Sequence, residues 1–306
     1  MVEIMDKKIK VAVIGLDTSH STAFPGLMVD PETNPDFKID TLQPTRCLRF
    51  DTPFQSPEGL DKRQAYLEKI GVEVGTDFDW AIEGCDAIML EINDPAFHLE
   101  YFEKCAALGK PIYLDKPVAG NVADTKKIYE IAKKYNVRFF SASSLRFDID
   151  FEETLEKYGS NVKSAVIWGP VGVAAAGSSI IWYGVHTFEM LERIMGIGAE
   201  SVTVVNDGKG HVCTVAYPDG RRGVVELTRK AYRYGALLRD DENPAVMINV
   251  GGRVPFYARL IKHIDSFFRG DDSAGVPLEE SMEIMKMLEA AEISSTTGKT
   301  VYLKDL

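Results

Sequence analysis

The stretch Gly109-Lys110-Pro111-Ile112-Tyr113-Leu114-Asp115-Lys116-Pro117 reads as a helix stop, a short buried strand, and a lysine at that strand's carboxyl end. In an open α/β sheet, ligands bind at that end. A lysine there, followed by a proline that fixes the turn, is a candidate proton-transfer group. Burial weakens an amine's hold on its proton, and a base or relay at neutral pH needs that weakening. A second candidate is His186, in the helix start Tyr183-Gly184-Val185-His186. A histidine in an amphipathic helix is more often a packing residue, but it gains weight beside a lysine candidate.

A third group follows the first strand. A dinucleotide-binding turn uses G-x-G-x-x-G, whose second glycine lets the backbone approach the pyrophosphate. Here the turn is Gly15-Leu16-Asp17-Thr18-Ser19-His20, and only the first glycine is present. Asp17 brings a side chain and a negative charge to the second position. Thr18 and Ser19 can still hydrogen-bond a phosphate, and a helix N-terminus favours anions. The turn therefore reads in two ways: a divergent dinucleotide site, or a capped turn that no longer binds a nucleotide. Asp17 and His20 can also serve a different ligand. The acidic residue that would hold the adenine ribose is Asp51 or Asp40, neither at a convincing spacing.

His98 falls in the first turn of a helix after Asp94-Pro95, where it can face a ligand, cap the helix or pack. His98-Leu99-Glu100 resembles part of a zinc deaminase signature, but the Pro-Cys-x-x-Cys partner is absent, and no metal is assigned.

The elements that must position these residues alternate in the first half. Ile9–Gly15 is a β-branched strand. A helix follows over about Ser21–Val29. The second strand is either Lys38–Gln43 or Thr45–Phe50, because Pro44 between them is excluded from a central strand. Ser56-Pro57 starts a helix that ends at Gly71. Strands are expected at Val72–Val74, Ala87–Ile92, Pro111–Leu114 and Val137–Ser141, with helices after Asp94-Pro95 and over about Asp124–Tyr135. This pattern gives a Rossmann-like doubly wound parallel sheet over residues 1–145.

The second half, residues 146–306, reads as an α+β domain with a mainly antiparallel open sheet. Its expected strands are Val162–Trp168, Ser201–Asp207, His211–Tyr217, Arg222–Thr228, Val246–Val250 and Thr300–Leu303. Pro218-Asp219-Gly220 makes a hairpin turn. Helices are expected over Tyr183–Met195, Tyr257–Phe268 and Glu279–Ser294.

Composition narrows the partners. The 306 residues carry a net charge of −11, so nucleic acid and anionic membrane surfaces repel the chain. The charged stretch Met1–Lys10 has no apolar core of a secretory leader, and no apolar run is long enough to span a membrane. Cys47, Cys85, Cys105 and Cys213 form no Cys-x-x-Cys pair, and Cys85 and Cys105 sit in apolar contexts that suit buried thiols. The expected compartment is the cytoplasm.

Taken in order, these residues resemble the glucose–fructose oxidoreductase/inositol dehydrogenase (Gfo/Idh/MocA) family over nearly the whole chain. Leu114-Asp115-Lys116-Pro117 resembles its Glu-Lys-Pro element. Asn93, Asp94 and His98 resemble its Pro-Asn…His segment, and Arg146-Phe147 its Arg-Phe at the domain junction. Gly184-Val185-His186 resembles its Gly-x-His helix start. The tail, from Pro277-Leu278-Glu279-Glu280 to Ser295-Thr296-Thr297-Gly298-Lys299, resembles its C-terminal signature.

The resemblance implies an oxidoreductase that moves a hydride between NAD or NADP and a sugar or polyol hydroxyl. It implies Lys116 and His186 as the catalytic pair. Gly15, Asp17, Thr18, Ser19, His20, Asn93, Asp94, Asp115 and Lys116 are then placed at the cofactor, and Arg146, Trp182, Tyr183, His186 and His98 at the substrate. Many members carry an aspartate four residues before the histidine. Trp182 stands there in this chain; it cannot share the proton, but it can stack on a sugar ring with Tyr183 beside it. Asp17, His20 and Trp182 motivate the alternative, a non-redox carbohydrate-binding or regulatory protein on the same fold. A sheet covered on one face only is expected to form a homo-oligomer through its open face.

Overall fold

The computed structural model describes residues 8–158, 162–230, 232–251 and 253–306, so the opening stretch Met1–Lys10 lies outside the description as far as Lys7. Strand β1 (Ile9–Ile14) leads into helix α1 (His20–Val29), β2 (Leu42–Leu48) into α2 (Pro57–Lys69), and β3 (Glu73–Gly75) into α3 (Phe78–Ile82). Strand β4 (Ala87–Leu90) is followed by a 3₁₀ turn over Pro95–Phe97 and then α4 (His98–Ala106). Strand β5 (Ile112–Leu114), α5 (Val122–Tyr135) and β6 (Phe139–Ser141) complete the first series.

The six strands form one parallel sheet in the order β3-β2-β1-β4-β5-β6. The order reverses beside β1, so the residues that follow β1, β4 and β5 gather at one end of the sheet. Local signals act as the sequence implies. Ser56 caps α2 by accepting the Gly59 N–H at 3.1 Å, with Pro57 at the first helical position. Leu16, Leu60, Leu67 and Val72 pack with Val13 and Cys47 into a buried cluster. Each fully buried leucine of this kind contributes roughly 1.5–3 kcal/mol.

One expectation is overturned. Pro44 does not divide two candidate strands; it lies inside β2, between β1 and β3. The reason is a bulge: Val11 faces Pro44 while Ala12 faces Arg46, so Thr45 is the extra residue. Strand β3 pairs with β2 only over Arg46–Leu48, so Pro44 meets no ladder partner on that side for its missing N–H.

The second series begins with a 3₁₀ turn over Ser144–Phe147 and helix α6 (Ile149–Tyr158), which the sequence reading did not include. Asp148 caps α6 by accepting the N–H groups of Asp150 and Phe151 at 3.0 and 3.2 Å. There follow β7 (Ser164–Pro170), α7 (Ser179–Met195), β8 (Ser201–Asn206), β9 (Gly210–Ala216) and β10 (Arg222–Thr228). Strand β11 (Gly235–Arg239), also absent from the sequence reading, pairs with β12 (Val246–Asn249). Helices α8 (Phe256–Phe268) and α9 (Leu278–Thr297) and strand β13 (Val301–Tyr302) end the chain.

The second sheet runs β12-β11-β7-β10-β9-β8-β13. It is antiparallel except for β7 and β10, which pair in parallel, so it is mixed. The chain divides into two compact units: Met1–Val118, Lys126–Ser141 and Tyr257–Val276 form the first, and Ala119–Thr125, Ala142–Phe256 and Pro277–Leu306 the second. Helix α8 thus returns to the first unit, where Asp265 accepts the Thr41 hydroxyl at 3.0 Å.

Candidate functional site

In the first unit, the ends of β1, β4 and β5 bring ionisable side chains into a buried cluster. Gly15 has φ +107°, and a Cβ there would lie 2.3 Å from the Glu91 carbonyl oxygen. The glycine is therefore demanded by the close approach of the chain leaving β4, independently of any ligand. The third glycine position of the turn holds His20, which opens α1. Its Nδ1 lies 2.9 and 3.0 Å from the two oxygens of Asp115, and its ring stacks on Phe24 at 4.8 Å and meets Tyr257 edge-on at 5.1 Å.

Asp115 is completely buried. It also accepts the Lys116 backbone N–H at 2.8 Å, and the Lys116 ammonium stands 4.0 Å from its other oxygen. Burial works against its charge, but His20, Lys116 and these hydrogen bonds outweigh it and hold the carboxyl well below the usual aspartate range. Lys116 itself is 6% exposed, and the Lys116–Pro117 peptide is cis.

Glu91, which follows β4, is the cluster's unpaired member. It is fully buried and neither carboxylate oxygen has a hydrogen-bond partner. Burial first, then the neighbouring Asp115, pushes its carboxyl far above the usual glutamate range. Its nearer oxygen lies 3.9 Å from His20 Nδ1. One ligand atom each from His20, Glu91 and Asp115 falls within 4.8 Å of the others, so these are the described residues that could hold a metal ion. The Lys116 ammonium beside Asp115 already supplies positive charge there.

Asp17 is the residue that opposes a pyrophosphate on sequence grounds. Its side chain is 1% exposed and turned inward: one oxygen accepts the Thr52 hydroxyl at 2.7 Å, the other the Asn93 N–H at 2.8 Å. Burial outweighs these bonds and raises its pKa. Arg63 of α2 donates to the Leu16 carbonyl at 2.9 Å. It is half-buried with no carboxylate in ion-pair range among the described residues, and burial lowers its pKa. An inward-turned carboxylate and a guanidinium at the turn remove the charge objection to a phosphate, so the turn's residues fit a dinucleotide on that count.

The other first-unit candidates are spread more widely. Thr18 is buried and accepts the His20 N–H at 3.3 Å, while Ser19 is exposed. Asp94 caps the 3₁₀ turn by accepting the Ala96 N–H at 3.0 Å. His98 is completely buried, its ring nitrogens 2.7 Å from the Ile92 carbonyl and 3.1 Å from the Val118 carbonyl. Those contacts tie the β4 and β5 exits together.

The second unit gathers its own group around α7. His186 is partly buried; its Nδ1 is 2.7 Å from the Ser143 hydroxyl. Tyr183 and Tyr234 meet its ring edge-on at 5.1 and 5.7 Å, and Trp182 lies against Tyr183 at 5.0 Å. One turn after His186, buried Glu189 accepts the Ser143 N–H at 2.7 Å. Burial dominates Glu189 and pushes its pKa up to about 8. A further turn on, Glu192 pairs with Arg146 at 2.6 Å, and Arg146 also binds Glu280. Arg146 is thus committed to carboxylates of its own unit.

Ser143, Glu189, Glu91, Thr52, Arg63 and Tyr234 did not figure among the sequence candidates. Glu91 carried a signal, a charge closing the apolar run Ala87–Leu90, and so did Glu189, three residues after His186 on one helix. Ser143, Thr52, Arg63 and Tyr234 come from distant segments, and nothing local marks them.

A Rossmann-type α/β unit joined to an α+β unit with a mixed open sheet defines the class. A model of the Gfo/Idh/MocA group, described as an oxidoreductase family with an NAD-binding Rossmann fold, matches residues 57–143. The chain is 25% identical over 205 residues to a myo-inositol 2-dehydrogenase from Thermotoga maritima, covering 56% of this chain and 59% of that enzyme. The match thus spans less than two thirds of that enzyme's length. The chain superposes on the myo-inositol 2-dehydrogenase of Lactobacillus plantarum with a TM-score of 0.78 at 15% identity, over 97% of this chain and 99% of the other. It also superposes on the scyllo-inositol dehydrogenase of Lactobacillus casei, solved with NAD(H) and scyllo-inositol, with a TM-score of 0.75 at 15% identity over 97% and 100%. At those identities the structural likeness is one of fold. Over residues 57–143 the chain matches the Gfo/Idh/MocA oxidoreductase family, and across nearly its whole length it shares the fold of these dehydrogenases.

Proposed function

We propose that the protein is an NAD(P)-dependent oxidoreductase acting on a sugar or polyol hydroxyl. The bound nicotinamide would accept or return the hydride. The protein's part is to hold the substrate and manage its proton, with Lys116 as base or proton relay and His186 at the substrate oxygen. The observation that carries this reading is the buried Asp115–Lys116 pair at the end of β5, steadied by His20. It keeps the Lys116 side chain, a group that can take or give a proton, at the ligand-binding end of the parallel sheet. The turn after β1, with Asp17 turned inward and Arg63 alongside, supports a dinucleotide phosphate there, next to Thr18, Ser19, Asn93 and Asp94. Trp182 and Tyr183 supply aromatic faces for a sugar or polyol ring.

Fluorescence titration with NADH and NADPH, followed by a screen of inositols and sugars at the nicotinamide absorbance, tests the proposal. Binding of neither nucleotide sinks it. Trp182, which cannot share a proton, favours a second reading, a non-redox carbohydrate-binding or regulatory protein. That reading predicts thermal stabilisation by a sugar with no effect of either nucleotide.

A cytoplasmic homo-oligomer is part of the same proposal. Val205 and Met247, each 62% exposed on strands of the second sheet, support association through its open face. A purely monomeric mass in light scattering would rule that association out.

A further inference from the structure

The proton on His186 can be located by counting hydrogen bonds at Ser143. A hydroxyl has one hydrogen to donate and two lone pairs to accept with. Ser143 is 1% exposed, so water is not available to complete the count. The Leu145 N–H points at Ser143 Oγ from 3.2 Å and takes one lone pair. The Ser143 O–H then needs an acceptor, and within reach among the described residues that acceptor is His186 Nδ1, at 2.7 Å. If Nδ1 carried a hydrogen instead, Oγ would accept twice and its own buried hydrogen would have no acceptor, an arrangement that native structures avoid.

We infer that His186 carries its proton on Nε2 and meets the substrate as a hydrogen-bond donor, with Ser143, held by Glu189, as the residue that sets this tautomer. The inference rests on the reading of His186 as a substrate-facing residue. Glu189 fixes the Ser143 backbone through the 2.7 Å bond from its N–H. Trp182, one turn before His186, offers no carboxylate to hold a proton on the ring.

In the proposed reaction a bound nicotinamide would take up or return the hydride; His186 would hold the substrate oxygen through Nε2–H, neither gaining nor losing a proton.

Two-bond ¹H–¹⁵N spectra of the full chain labelled with ¹⁵N-histidine read the tautomer directly. The signal is assigned by its loss in His186→Gln. The expected pattern at neutral pH is a protonated Nε2 and a bare Nδ1. In Ser143→Ala the two tautomers are expected to mix, and Ser143→Thr, which keeps the hydroxyl, restores the single form. A protonated Nδ1 in the wild type, as the other tautomer or as imidazolium, overturns the inference. So does a Ser143→Ala spectrum identical to the wild type. The spectra need neither nucleotide nor turnover. A failed nucleotide titration therefore removes the proposed function and leaves the tautomer to be judged by its own signal.

Discussion

The two units each place one histidine at the centre of their polar group, and the two are set in opposite ways. His20 faces a carboxylate. Asp115 is held ionised, so it can only accept, and the His20 Nδ1 that lies 2.9 and 3.0 Å from its oxygens must carry a hydrogen. His186 faces a hydroxyl whose other lone pair is taken by Leu145, so its Nδ1 is bare. The same side chain thus presents opposite nitrogens, and the chemistry of one partner decides which. The acids nearby differ in the same sense. Asp115 is stabilised as an anion by His20 and Lys116, whereas Glu189, 3% exposed, is pushed by burial toward the neutral form. The histidine of the first group thus meets a held charge, and that of the second a neutral hydroxyl, with the charges of its group further along α7 in the Arg146–Glu192 pair.

The sharpest way to break the contrast is Asp115→Asn. It removes one partner from a buried charged group and leaves the Lys116 ammonium and His20 without their anion. The expected loss is about 3–5 kcal/mol of unfolding free energy in urea, since an uncompensated buried charge costs that much. A loss below about 1 kcal/mol would mean that the cluster is not held by charge.

The second group answers to pH in the other direction. The folded Asp115 pKa is depressed, so its stabilisation is present above the ordinary value of 3.8 and lost as pH falls below it. The folded Glu189 pKa is raised, so its contribution is complete below 4.5 and lost as pH rises toward about 8. Wild-type stability is therefore expected to decline by several kcal/mol across that upper window, roughly 1.4 kcal/mol for each pH unit that separates the folded from the unfolded pKa. Glu189→Gln, which stays neutral, flattens the decline. Unfolding curves for the two proteins at pH 5 and pH 9 check it, and parallel declines would refute the neutral Glu189. Midway in size stands His20→Gln, which removes a bond to a charged acceptor and is expected to cost about 1.5–3 kcal/mol.

Much of the first group is legible in the sequence alone. Lys116 at a strand end, Asp17 in place of a glycine and His20 at the helix start can be read because strand–turn–helix punctuation is local. Pro44 misleads because the rule that keeps proline out of central strands yields to a bulge, and bulges depend on the partner strand's register. The inward turn of Asp17 needs Thr52 and the Asn93 N–H, which come from the exits of β2 and β4. Spacing cannot show that a carboxylate is occupied. The second group is half legible: His186 and Trp182 lie on one helix, but Ser143, which decides the proton, is 43 residues away. Helix α6 escapes a reading by pattern because it begins at the expected domain junction, where Asp148 could equally be a loop residue.

The smallest expected effect separates position from stability. Ser143→Ala deletes one neutral hydrogen bond to a partly buried ring and leaves the Ser143 N–H bond to Glu189 intact. Such a bond contributes about 1 kcal/mol net, well below the loss expected for Asp115→Asn. The variant should therefore fold, with an unfolding midpoint only slightly lowered. Any larger fall in turnover than in stability then belongs to the tautomer of His186, because a ring that samples both tautomers donates from Nε2 for only part of the time. Equal and small losses in both would reduce Ser143 to a packing residue, and the two histidines would no longer be distinguished by their partners.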